Sequence, residues 1–131
     1  MSIRCVVVTP ERTELDRVVS SIVLPRYDGE LGIKRGRAAM IGRLGYGQMR
    51  LQTDAGTETF FIDGGFAQVE KDVVSVLTSR ALPGKTLNVG TAETELATAL
   101  SSPAATPQQQ RLKAAAVMRA RGLLRTAARE H

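Results

Sequence analysis

The composition of the chain changes near residue 85, and this change constrains the fold more than any single motif. Ten of the twelve valines lie in residues 1–78 and ten of the twelve glycines in residues 29–84, whereas eleven of the sixteen alanines lie from Ala92 onward. β-Branched residues interleaved with glycine favour short strands and tight turns, and alanine without glycine favours helix. The chain therefore reads as a β-rich first part and an α-helical second part, joined at the turn-forming Pro83-Gly84-Lys85. Residues 1–84 are assigned to one unit and 85–131 to the other.

In the first part, residues 3–8, 18–24, 46–52, 57–62, 66–69 and 73–78 each read as a strand. Asp54-Ala55-Gly56, Asp63-Gly64-Gly65 and Lys71-Asp72 separate the later ones at hairpin distances. Between Tyr27 and Gly45 glycine is frequent, and shorter, irregular strands are expected, with bends at Gly32, Gly42 and Gly45. No helix-length periodicity interrupts this region, so the strands must bury their inner faces against one another as a sandwich or flattened barrel. With five aromatic residues and no Trp, the core has to be built from Val, Leu, Ile and Ala.

The second part reads as two helices. Asn88 or Thr91 is placed to cap the first, which runs through Leu96 and Leu100 and stops before Ser101-Ser102-Pro103. Rich in alanine and threonine with few large anchors, this helix is marginal alone. Thr106 followed by Pro107 fits an N-cap with proline at the first helical position, and the second helix then runs to Arg129. At about 100° per residue, Leu112, Ala116, Val117, Ala120, Leu123, Leu124, Ala127 and Ala128 share one half of its wheel. Arg111, Arg119, Arg121, Arg125 and Arg129 share the other, with Lys113 and Met118 each on the wrong face.

The net charge of +5 belongs wholly to this last stretch. Residues 1–106 carry twelve basic and twelve acidic side chains, while residues 107–131 carry six basic ones against Glu130 alone. An ordinary solvated helix face mixes signs for i,i+4 pairing. Arginines on one face without partners in their own helix imply an acidic partner elsewhere, and this cationic half is expected to have no partners in its own chain.

Catalytic chemistry is sparse. Cys5 is the only cysteine, which excludes an internal disulfide. With His131 as the only histidine, a zinc site, a Cys–His dyad and a Ser–His–Asp triad all lack their residues. Gly84-Lys85-Thr86 ends like a phosphate-binding loop, but Ser79 stands where that loop needs a glycine. Gly42, Gly45 and Gly47 run in the reverse order of the dinucleotide fingerprint. The close carboxylate pairs Glu14 with Asp16, Asp28 with Glu30, and Glu93 with Glu95 have no marked pocket around them. No catalytic residue, cofactor or metal site is assigned. No apolar run approaches the roughly 20 residues of a membrane-spanning helix, and no signal or transit pattern opens the chain, which is expected to begin at its mature terminus.

The most informative segment is Asp28-Gly29-Glu30-Leu31-Gly32-Ile33, followed by Lys34-Arg35-Gly36-Arg37. It reads as an exposed loop whose glycines give backbone freedom and whose charges face a partner. At this loop the sequence resembles the epsilon subunit of F-type ATP synthases of the bacterial and chloroplast type. The resemblance begins at Val7-Val8-Thr9-Pro10-Glu11 and continues through Ser21-Ile22-Val23-Leu24-Pro25 into the segment just quoted. It resumes at Ile62-Asp63-Gly64-Gly65-Phe66-Ala67-Gln68-Val69 and at Val74-Ser75-Val76-Leu77, in order and at family spacing over residues 3–81.

The resemblance implies an amino-terminal β-sandwich of about ten short strands, followed by a carboxy-terminal α-helical hairpin. It implies a non-catalytic rotor subunit in the central stalk of a proton-translocating ATP synthase, peripheral on the cytoplasmic face of the bacterial inner membrane. The sandwich would bind the gamma subunit and rest on the polar loops of the membrane c-ring, with Asp28, Gly29, Glu30, Gly32 and Arg37 as contacts. The hairpin would have two resting places, docked on the sandwich or extended along gamma. Extended, it would inhibit ATP hydrolysis, with Arg111, Arg119, Arg121, Arg125 and Arg129 meeting an acidic segment of the catalytic beta subunits. Each exposed pair contributes at most ~1 kcal/mol, and several together shift a population about tenfold.

Where the family continues its loop with proline, histidine and proline, this chain has Arg35, Arg37 and Ala39. Some members bind ATP through an L/I-D-x-x-R-A motif on the first helix; between Leu87 and Glu93 this chain has neither the aspartate nor the arginine, so nucleotide binding is not carried over. The competing class is a small β-barrel nucleic-acid-binding module with a cationic helical arm. That module needs aromatic platforms and basic residues on its sheet. Here the sheet region is charge-neutral and most aromatics sit in apolar strands.

Overall fold

Strict alternation of buried and solvent-facing side chains begins at the first strand, where Ile3, Cys5 and Val7 point inward and Arg4 points out. The computed structural model describes residues 2–130; His131, the lone histidine, lies outside the described residues. The strands are β1 (Ile3–Val8), β2 (Thr13–Val19), β3 (Ser21–Arg26), β4 (Gly29–Lys34), β5 (Met40–Thr53), β6 (Gly56–Glu70), β7 (Val73–Leu77) and β8 (Ala81–Pro83). Two helices follow, α1 (Val89–Leu100) and α2 (Pro107–Glu130).

The strands pair in the order β2-β1-β7-β6-β5-β3-β4, with β8 beside β6. Only β1 and β7 run parallel among these pairs. Two strands are long enough to serve both layers of the sandwich. The end of β6 from Phe66 to Glu70 pairs with β7, while Phe60, Phe61 and Ile62 pair with β8. Its partner β5 meets it along almost its whole length and gives Arg50, Leu51 and Gln52 to β3. The change of layer occurs at Gly64 and Gly65, whose φ angles of +69° and +102° lie in the left-handed region that favours glycine. A Cβ on Gly65 would also collide with the Leu77 carbonyl oxygen.

The sandwich core contains Ile22, Leu24, Ile33, Met49, Leu51, Ile62, Val74 and Val76, and no helical residue belongs to it. Burial in this apolar interior pushes the Cys5 thiol up to about 12. The sandwich-plus-hairpin reading therefore matches the observed architecture, with eight strands in place of about ten.

The strand boundaries differ from expectation in instructive ways. The expected strand at 18–24 straddles a turn at Ser20, because β2 occupies the polar stretch before it, where propensity is weak. Asp63-Gly64-Gly65 does not close a hairpin: β6 runs through it, and the glycines bend one strand instead of separating two. Lys71 and Asp72, both at positive φ, do form the expected two-residue turn between β6 and β7. Gly29–Lys34 is an edge strand of the sheet, so the expected loop is a loop only at Asp28 and beyond Lys34. Pro83-Gly84-Lys85 is no free linker either, since Pro83 ends β8 and buried Gly84 opens a single 3-10 turn.

The hairpin caps follow the sequence closely. The Asn88 side chain accepts the Thr91 N–H at 3.0 Å. Thr106 Oγ1 accepts the Gln109 N–H at 3.1 Å, while Gln109 Oε1 accepts the Thr106 N–H at 3.1 Å, a reciprocal capping box. A second apolar cluster of Phe61, Leu87, Ala92, Leu123 and Ala127 joins both helices to the sheet. Gly122 lets α2 come down on β5, because a Cβ there would collide with the Tyr46 carbonyl oxygen.

The buried positions of α2 begin at Ala120, so Leu112 is 64% exposed although it lies on the apolar half of the wheel. Ala128 is exposed as well, and Arg119 is half-buried, just before the first buried position.

Candidate partner-binding surfaces

The predicted contact residues fall on two surfaces, the β3–β4 edge and the outer side of α2. At the edge, Tyr27 and Asp28 form the two-residue turn, and Asp28 pairs with Arg26 at 3.4 Å. In β4 only Ile33 is buried, because an edge strand needs just one face on the core. Gly29, Glu30 and Gly32 face solvent.

Glu30 accepts hydrogen bonds from Arg50 Nη1 and Nη2 at 2.9 and 3.3 Å, and Arg129 of α2 lies 3.9 Å away. The hydrogen bond from Arg50, aided by its charge and that of Arg129, holds the Glu30 carboxyl below the usual glutamate range. Beyond β4, Asp72 accepts the Gly36 N–H at 2.8 Å and pairs with Arg35 at 3.8 Å, tying this loop to the β6–β7 turn. Arg37 is exposed and has no ion pair among the described residues. The structure thus brings Glu30 and Arg129 together and leaves Arg37 apart.

Along α2 the expectation of a cationic face without partners in its own chain needs correction. Arg119 Nε donates to Asp63 Oδ1 at 2.7 Å, and its guanidinium lies 5.4 Å from the centre of the Tyr46 ring. Asp63 is 7% exposed in its side chain, and its other oxygen pairs with Arg80 at 3.3 Å. Arg80 in turn reaches Glu95 of α1 at 3.6 Å. Burial lowers the Arg119 pKa, but the hydrogen bond and attraction to Asp63 outweigh it, so the pKa is raised.

At the far end of α2, the Glu130 carboxylate accepts hydrogen bonds from Thr59 and from Gln48, the latter at 3.1 Å. Arg111, Arg121 and Arg125 remain exposed and free of ion pairs among the described residues. Arg121 and Arg125 share a groove with Arg26, Arg43, Tyr27 and Met118 at the bend of β5 and β6.

Sequence reasoning missed Asp63, Arg80, Glu95 and Glu130. Asp63 carries a usable signal, being a lone acid between Ile62 and a glycine pair, although that same setting suggests a turn. Gly84-Lys85-Thr86 forms a 3-10 turn and not a strand-to-helix phosphate cradle, and no cluster of candidate metal ligands occurs among the described residues. Among these residues no helix is long and apolar enough to cross a membrane. The nucleic-acid reading finds no support: Phe61 is fully buried, Phe60 packs on the core, and Arg4, Arg17 and Arg50 of the sheet are paired with acids.

Comparison with known proteins points one way. Residues 2–84 match the family described as the ATP synthase delta/epsilon chain β-sandwich domain. A Rhodopirellula baltica protein named ATP synthase epsilon chain is 64% identical over 125 residues, covering 95% of this chain and 98% of its own. A relative of the same name from Synechococcus sp. strain JA-2-3B'a(2-13) is 36% identical over 93 residues, covering 71% of this chain and 68% of its own.

In fold, the chain superposes on one from the cryo-EM structure of the Euglena gracilis mitochondrial ATP synthase with a TM-score of 0.82. That match is 21% identical and covers 99% of this chain and 82% of the other. A chain of the Tetrahymena thermophila mitochondrial ATP synthase central stalk and c-ring gives a TM-score of 0.75 at 14% identity, covering 97% of each. With the sandwich match and a relative aligned over nearly the full length of both chains, this chain belongs to the ATP synthase epsilon chain family.

Proposed function

We propose that the chain is a non-catalytic rotor subunit whose two parts have separate tasks. Residues 1–84 couple the gamma subunit to the polar loops of the membrane c-ring, and residues 85–131 form a hairpin that restrains ATP hydrolysis. The subunit works peripherally, on the cytoplasmic face of the bacterial inner membrane. The observation that carries this reading is the 64% identity to an ATP synthase epsilon chain over nearly the full length of both proteins. The surface supports it. Ile41, Phe66 and Leu77 are exposed on neighbouring strands β5, β6 and β7, an apolar patch of the kind that docks a protein partner. The edge residues Asp28, Gly29, Glu30 and Gly32, with Arg37 beyond them, present charge and accessible backbone where the sheet ends.

For the hairpin, the free cations Arg111, Arg121 and Arg125 are the side chains offered to an acidic segment of the catalytic beta subunits. Arg119 and Arg129 join them only after leaving Asp63 and Glu30. The test compares ATP hydrolysis by the assembled enzyme in three forms: the native chain, a chain lacking residues 85–131, and the Arg111→Ala/Arg121→Ala/Arg125→Ala variant. Deletion should raise hydrolysis most and the triple variant part of the way, and raised salt should mimic the triple variant partially. Equal rates in all three forms would show that the hairpin does not inhibit.

A further inference from the structure

The interface beneath α2 contains something the sandwich core does not, a buried carboxylate shared by two guanidinium groups. We propose that Asp63 is a two-position electrostatic latch. With the hairpin docked, its carboxylate holds Arg80 and Arg119 together; with the hairpin released, it keeps Arg80 alone. Asp63 then biases the balance between the docked and released hairpin, alongside the Glu130 contacts and the apolar cluster under α2. This inference rests on the reading that the hairpin leaves the sandwich in the assembled enzyme.

Three observations carry it. First, the sandwich core is complete without helical residues, so α2 departs without opening that core. What departure uncovers is the smaller cluster around Phe61, Leu123 and Ala127.

Second, Arg80 belongs to the sandwich side. It lies between β7 and β8, and its carbonyl accepts the Asp63 N–H at 3.0 Å, so it stays beside Asp63 whatever the helix does. A buried carboxylate stripped of its only partner is strongly destabilised. Here departure of Arg119 leaves a paired ion, not an orphan, and both states are accessible.

Third, the latch reaches both helices. Arg119 contributes from α2 at 2.7 Å, and Glu95 contributes from α1 through Arg80 at 3.6 Å. Two acids and two guanidinium groups balance in the docked state. Neutralising Asp63 leaves Arg80 and Arg119 facing each other with Glu95 alone, which favours release.

The experiment measures hydrogen–deuterium exchange of the α2 amides in the isolated full-length chain. Asp63→Asn and Arg119→Gln should each speed exchange over the buried half of α2 by tenfold or more, with β1 and β7 unchanged. Arg119→Lys, which keeps the charge and loses the planar fork, should fall between. If Asp63→Asn also loosens the sheet, Arg119→Gln decides, because its side chain lies outside the sandwich core. Native exchange in α2 of Arg119→Gln would overturn the latch. ATP hydrolysis by the assembled enzyme lacking residues 85–131 separates this proposal from the inhibitory role. Faster α2 exchange in Arg119→Gln with hydrolysis unchanged by the deletion keeps the latch and rejects inhibition; unchanged exchange rejects the latch whatever the hydrolysis rate.

Discussion

Inside the sandwich, large branched or flexible side chains such as Ile22, Leu24, Met49 and Leu51 are shut off from water within one apolar cluster. Under the hairpin, α2 instead buries Ala120, Gly122, Leu123, Thr126 and Ala127, and it is pinned by Arg119 on Asp63 and by Glu130 on Gln48 and Thr59. Removing large apolar groups from water stabilises by roughly 25 cal/mol per Å² and needs no particular partner. Small residues bury little area, so their interface depends on close approach and on a few polar contacts of defined geometry. The first kind of interior tolerates the loss of any one contact. The second depends on a few contacts, which suits the releasable hairpin proposed above.

The largest effect expected from this contrast is in the sandwich. Leu24→Ala should cost about 3 kcal/mol, because the tightly packed core cannot collapse around the cavity. Chemical denaturation should show sheet and helices lost together; an unchanged midpoint would mean that Leu24 is not core.

Next comes removal of the hairpin. A chain of residues 1–84 should melt cooperatively with a β-type circular-dichroism spectrum. It should be weaker than the full chain by about 2 kcal/mol, roughly the value of uncovering Phe61. A molten product would erase the distinction between the two interiors.

Gly122→Ala should act the other way round. Its added methyl meets the Tyr46 backbone and costs about 1–2 kcal/mol of docking. Amide protection in α2 should fall while the melting of the sheet shifts by only a few degrees. Equal losses in both regions would show that they are coupled.

The smallest effect belongs to Glu30, which lies on the rim between the two parts. Its folded-state pKa is held down by Arg50, so its contribution is present above the ordinary glutamate pKa. That contribution is lost as pH falls through the depressed value. Half exposed, it is worth at most ~0.5 kcal/mol after solvent screening. Arg50→Met should return the Glu30 carboxyl toward the ordinary range in an NMR titration, and an unmoved titration would break the assignment. Glu30→Ala should leave the melting curve in place while weakening ATP-driven proton pumping in the assembled enzyme. Unchanged pumping would remove Glu30 from the contact surface.

The features legible from sequence are those that neighbours in the chain determine. The order of strands before helices, the Asn88 and Thr106 caps, the Lys71-Asp72 turn and the family-bearing segments all follow from residue type at short spacing. Which strand continues and which helix face is inside do not. Glycine at 64 and 65 permits either a turn or a bend, and only the pairing of β6 with β5 on both sides selects the bend.

Arg119 lies with the other arginines on a helical wheel, yet it is drawn inward by Asp63, 56 residues earlier in the chain. Glu130 is held by Thr59, 71 residues away. The sequence alone determined the two-part architecture and the membership of the family, because propensity, capping and turn chemistry act over a few residues. The tertiary structure alone decided which charges are partnered and which are left exposed. Such pairing depends on distance and burial in space, and these are settled only when the helix meets the sheet.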